Sequence, residues 1–161
     1  MMVPILGWII MWLNKPDVEK LLITTSDSLD QKNGNIAPKD VAIYERLIDV
    51  MEQEAAYTDH GLSIRALSER IDVPEHRLRI LINQTMGYRN FPSFVNNYRI
   101  AYAKHVLADL EMARLPILSI AMDAGFQTLS TFNRAFKAAQ GETPSVFRER
   151  ALRQNATYTD T

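Results

Sequence analysis

The chain predicts an all-α fold, two helix-turn-helix units joined by one long helix. Three observations carry that prediction. Apolar residues recur at intervals of three and four through most of residues 38–153, the spacing of an amphipathic helix, while no strand-like alternation persists. Residues 115–148 read as a short helix, a tight turn, a second helix and a capped third helix. A weaker copy of that pattern lies upstream at a nearly constant offset.

Residues 3–13 (VPILGWIIMWL) form an apolar run of 11 residues, against the roughly 20 needed to cross a bilayer. They lack the charged start and small-residue cleavage site of a secretory signal. Three readings stay open: the truncated end of a transmembrane helix from a longer protein, a packed or partner-binding helix, and an interfacial anchor. Residues 14–38 read as a polar linker. The first helix opens at Pro38 and Asp40, with Val41, Tyr44, Leu47, Ile48 and Met51 on its apolar face, and is expected to end near Tyr57. After the break at residues 58–61, Ser63 caps a short helix over residues 64–71. A turn at residues 72–74 leads to a second helix over residues 75–85, with Leu78, Leu81 and Ile82 inward and Gly87 as its C-terminal cap. The longest helix covers residues 91–109, with Phe94, Tyr98 and Ala101 on one side and Ile100, Ala103 and Leu107 beside them. Pro116 opens the next short helix, and a helix over residues 128–139 buries Phe132 and Phe136. Thr143 and Pro144 start the last helix, which carries Phe147 and Arg148. Residues 154–161 read as a polar tail.

The two helix-turn-helix patterns, near residues 63–85 and 116–139, align residue by residue. Ile64, Leu67, Ile71 and Val73 map onto Ile117, Ile120, Ala124 and Phe126 at an offset of 53. Leu78 and Ile82 map onto Phe132 and Phe136 at 54, so the second turn is one residue longer. Ser68 and Asp72 then stand where Ala121 and Gly125 stand: a small residue where the helices pack closely, and a residue that tolerates positive φ at the turn. A single such motif is weak. Two at matched spacing point to a protein that lays two helices in successive DNA major grooves, roughly 34 Å apart.

Charge agrees with that reading. The net formal charge of −1 hides a split: residues 1–61 hold 5 Lys/Arg against 10 Asp/Glu, and residues 62–153 hold 13 against 8. There is no cysteine, which excludes disulfides, thiolate metal sites and a cysteine nucleophile. His60, His76 and His105 are scattered without metal-ligand spacing, and His105 reads as a partly buried helix residue. The glycines lie at separate helix breaks, so no phosphate-cradling loop forms. No catalytic constellation, cofactor or metal site can be assembled, and the chain is read as a non-enzyme. The alternative of another class is a helical protein-interaction module without DNA specificity.

The segment ILSIAMDAGFQTLSTFNRAFKAAQGETPSVFR resembles the C-terminal DNA-binding domain of AraC/XylS-family transcriptional regulators, and NFPSFVNNYRIAYAKHVLAD resembles that family's linker helix. The resemblance covers about residues 40–153. It departs at Pro74, where a serine cap is common, and at Phe147, where a tyrosine is common. It implies a seven-helix, homeodomain-like pair of units reading an asymmetric double-stranded DNA site, with RNA polymerase as a further partner. Some family members follow a multi-helix membrane sensor, so residues 3–13 lead to an expectation of inner-membrane attachment of a cytoplasmic DNA-binding domain through a region N-terminal to this chain. On the first recognition helix the expected DNA-binding residues are His76, Arg77, Arg79, Ile80 and Asn83. On the second they are Gln127, Thr128, Leu129, Ser130, Asn133, Arg134 and Lys137. Arginine and asparagine suit bidentate contacts to guanine and adenine. Arg89, Arg99 and Lys104 are read as phosphate contacts, with an internal salt bridge equally open for Arg99.

Overall fold

Seven helices follow one another in a computed structural model that describes residues 38–159, and no strand forms among the described residues. They are α1 (Pro38–Glu52), α2 (Ile64–Arg70), α3 (Glu75–Ile80), α4 (Phe91–Ala108), α5 (Ile117–Asp123), α6 (Leu129–Gln140) and α7 (Pro144–Thr159). A 3-10 turn, Ala56–Thr58, lies between α1 and α2, and a π-helical turn, Leu81–Thr85, extends α3. The apolar run at residues 3–13 and all but the last residue of the linker expected over residues 14–38 lie outside the described residues. None of the described helices is long and apolar enough to cross a membrane.

Two cores share α4. The first gathers Leu47 and Met51 from α1, Leu67 from α2, Leu78 and Ile82 from α3 and its extension, and Phe94 and Val95 from the start of α4. The second gathers Ile100, Ala103 and Leu107 from the rest of α4 with Ile120, Phe132, Phe136 and Phe147. One helix therefore contributes its N-terminal half to one unit and its C-terminal half to the other. Its start is fixed by a capping box: Asn90 Oδ1 accepts from the Ser93 N–H at 2.9 Å, and Ser93 Oγ accepts from the Asn90 N–H at 3.2 Å. In the second core the rings of Phe126, Phe132, Phe136 and Phe147 follow one another at 5.2, 5.5 and 5.4 Å, with tilted or edge-on geometry.

The structure differs from the sequence reading at four places. First, α1 ends at Glu52 rather than near Tyr57, because Ala55 turns left-handed (φ 48°) and folds Tyr57 back into the core. Second, the buried face of α1 is Ile43, Leu47, Val50 and Met51, and Val41 is exposed. Third, α7 continues to Thr159, past the expected start of a polar tail; Asn155 Nδ2 donates to the terminal α4 carbonyl of Ala108 at 2.8 Å. Fourth, His105 is exposed. Pro74 does not displace α3: that helix starts at Glu75, and α6 starts 54 residues later at Leu129, the same offset as their buried residues.

Candidate nucleic-acid interface

Both turns between paired helices have the same hydrogen-bond geometry. In the first, the Val73 N–H donates to Ser68 O at 2.9 Å and the Asp72 N–H donates to Glu69 O at 3.3 Å. In the second, the Phe126 N–H donates to Ala121 O at 3.0 Å and the Gly125 N–H donates to Met122 O at 2.9 Å. Each is a Schellman closure that satisfies two terminal carbonyls and needs positive φ at its central residue. Asp72 has φ 53° and Gly125 φ 92°. The small residues Ser68 and Ala121 are buried where the second helix crosses, and the Ser68 hydroxyl is satisfied by Arg65 O at 2.8 Å.

The second helix of each pair is held by its buried face and turns its other face outward. On α6 the side chains of Phe132 and Phe136 are fully buried, while Ser130, Asn133, Arg134 and Lys137 are exposed and Leu129 is partly so. Thr128 caps that helix, its Oγ1 accepting from the Thr131 N–H at 3.2 Å. On α3 and its extension the inward residues are Leu78, Leu81 and Ile82, and His76, Arg79, Ile80 and Asn83 face outward. At the 54-residue offset, His76, Arg79, Ile80 and Asn83 correspond to Ser130, Asn133, Arg134 and Lys137.

A helix-turn-helix domain family model matches residues 67–150, more than half of the chain. The chain belongs to the AraC-type helix-turn-helix family. The arabinose operon regulatory protein of Escherichia coli (strain K12) is 30% identical over 90 residues, which cover 56% of this chain and 30% of that protein. The chain thus spans less than a third of that relative. The C-terminal domain of the two-component response regulator yesN from Fusobacterium nucleatum is 26% identical with a TM-score of 0.57, over 66% of this chain and 97% of that one. The C-terminal domain of AraT, a response regulator from Geobacillus stearothermophilus, has a TM-score of 0.58 at 24% identity, over 72% of this chain and 88% of that one, and is a likeness of fold. AraC-type domains are DNA-binding domains of transcriptional regulators, not a family of enzymes.

Within this AraC-type domain the expected site residues divide into outward and inward groups. Arg77 turns away from the outer face of α3 and pairs with Asp40 of α1 at 2.7 Å, which ties α1 to the first unit. Arg79 is on the outer face but ion-paired with Glu75 one turn before it. Arg99, expected to contact phosphate or to form an internal salt bridge, is engaged by backbone carbonyls of the first unit. Its Nε donates to Tyr57 O at 2.7 Å and its Nη2 to Asp59 O at 2.8 Å. Burial pushes this guanidinium below the usual arginine range. Gln127 also reaches across the units, its Nε2 donating to His60 O at 3.2 Å. Arg89 is exposed and Lys104 half-buried. By contrast, Arg134 and Lys137 have no carboxylate partner among the described residues.

Sequence spacing does not show how the loops ahead of each unit are anchored. Arg148 on α7 donates through Nη2 to Leu115 O at 2.7 Å and through Nη1 to Ala113 O at 3.4 Å. Arg99 holds the loop before α2 in the same way. The signal available in sequence is the aromatic-arginine pair, Tyr98-Arg99 and Phe147-Arg148, once in the third helix of each unit.

Proposed function

We propose that this domain reads double-stranded DNA by placing α3 and α6 in successive major grooves, with α6 supplying the larger share of the base and phosphate contacts. One observation carries the proposal. The outer face of α6 presents Ser130, Asn133, Arg134 and Lys137 to solvent, with its two cations unpaired among the described residues, while Phe132 and Phe136 lock its inner face. Such a ridge combines donors for base edges with charge for the backbone. On α3 both arginines already have carboxylate partners, so that helix contributes shape and the side chains of His76, Ile80 and Asn83.

In the whole protein this activity would serve transcription control. RNA polymerase contact rests on family membership alone, and membrane attachment on the apolar run at residues 3–13 alone; neither has a counterpart among the described residues. The test is competition between a selected DNA site and random DNA, read by fluorescence anisotropy at several salt concentrations. Arg134→Ala should weaken specific binding by about 1–3 kcal/mol while leaving random-sequence binding much less affected. Equal losses on both DNAs would remove Arg134 from base reading. Binding without a salt slope would remove the DNA reading and favour a protein-interaction module.

A further inference from the structure

The two units touch each other outside α4, and Arg99 is at the centre of that contact. The 3-10 turn ahead of α2 lies against the turn between α5 and α6. A Cβ placed on Gly125 would sit 2.4 Å from Tyr57 O and 2.9 Å from Thr58 O, so the two backbones meet with no room for a side chain. Gln127 adds its hydrogen bond to His60 O. Arg99 reaches into this seam from α4, donates to two carbonyls of the first unit, and lies with its guanidinium carbon 5.6 Å from the centroid of Phe126 in the second. Arg148 offers an internal comparison, because it donates to Ala113 and Leu115 in the loop that feeds its own unit.

We propose that Arg99 fixes the distance and orientation between the two recognition helices, and thereby the gap between half-sites that the protein accepts. This rests on the DNA-reading proposal for its consequence, though not for its geometry. A single helix such as α4 bends and twists, whereas a planar guanidinium holding two carbonyls and facing a ring resists rotation of one unit about the other. Inserting one base pair between half-sites displaces the second by roughly 3.4 Å and about a tenth of a turn, which a rigid seam cannot follow.

The test uses the full chain, whose lack of cysteine makes introduced labels unique. Spin labels at Gln84→Cys and Ala138→Cys, both exposed, report the separation of the recognition helices by pulsed electron resonance. We expect a narrow distance distribution in the native background, unchanged in Arg148→Met and about twofold broader in Arg99→Met at equal helix content. The native protein should lose about tenfold or more in affinity on a one-base-pair insertion, and Arg99→Met should lose only a few-fold. An unchanged distribution in folded Arg99→Met would overturn the proposal, as would an undiminished insertion penalty. Should Arg99→Met fail to fold, Arg99→Lys keeps the charge and loses the fork, and a native-width distribution there would equally overturn it. Failure of the native protein to prefer its selected DNA would sink the DNA reading instead, and the distance measurement would still decide the role of Arg99.

Discussion

Gly125→Ala should be the most damaging single-methyl change in this domain, and its cost can be divided into two parts. The backbone at Gly125 has φ 92°, a conformation in which an L side chain costs about 1–2 kcal/mol. The new Cβ would also lie 2.4 Å from Tyr57 O and 2.9 Å from Thr58 O. Both are backbone atoms of a hydrogen-bonded turn: the Thr58 N–H donates to Ala55 O at 2.9 Å, and Tyr57 O accepts from Arg99. Neither can rotate aside as a side chain would, so relieving the overlap requires the seam to open, at about 1–3 kcal/mol more. The expected total is about 2–5 kcal/mol. Gly141 isolates the first part, because it has φ 77° and, among the described residues, nothing within 4 Å of where a Cβ would lie. Gly141→Ala should therefore cost only about 1–2 kcal/mol. Urea unfolding followed by far-ultraviolet circular dichroism, with the slopes compared as well as the midpoints, measures both. Equal losses for the two variants would refute the close approach at the seam.

Two further predictions concern the supports of this arrangement. Asn90→Ala removes the capping box of α4 and should cost about 1 kcal/mol by the same unfolding assay; a loss below a few tenths would mean that the cap is redundant. Glu52 has a buried Oε1 with no hydrogen-bond partner among the described residues, and burial raises its carboxyl above the ordinary range. A carboxyl whose folded pKa is raised binds its proton more tightly in the folded state, so its stabilising contribution is present below the unfolded value and is lost as pH rises through the folded one. Glu52→Gln should then raise Tm at neutral pH, with the gain vanishing as pH falls below about 4. A gain that is constant with pH would show that the charge plays no part.

The helices are legible in the sequence because their apolar spacing is regular, and the paired units because eight pairs of core and turn positions share offsets of 53 and 54. Ser68 against Ala121 and Asp72 against Gly125 are chemically unlike, yet each pair meets one steric demand, smallness or positive φ, and those demands show in sequence. What spacing does not show is where long polar side chains go. Arg77, Arg79 and Arg99 all sit at polar positions of helical patterns, and the choice among water, a neighbouring carboxylate and a distant carbonyl depends on which part of the fold comes alongside. Spacing overextends the first helix because the left-handed Ala55 carries no sequence signature. It misplaces the apolar face at Val41 because Val41, Tyr44 and Ile48 make a second apolar stripe beside Ile43, Leu47 and Val50, and spacing alone does not say which stripe the core covers.

The two units are alike in backbone and unlike in charge, and that difference gives the seam its importance. On the DNA-reading proposal, α6 brings Arg134 to the bases and Lys137 to the phosphate backbone with no carboxylate opposing either among the described residues, whereas the arginines of α3 are already paired with Asp40 and Glu75. A largely neutralised reader gains little attraction of its own and depends on being delivered to its half-site by the stronger one. The benefit of such delivery scales with effective concentration, which is high only when the connection matches the span and does not wander. A loose α4 would scatter α3 over many positions and dilute that benefit. Arg99, Gly125 and Gln127 hold the first unit against the second, so a weak recognition helix can still add specificity when the spacing of the site is right and subtract affinity when it is wrong.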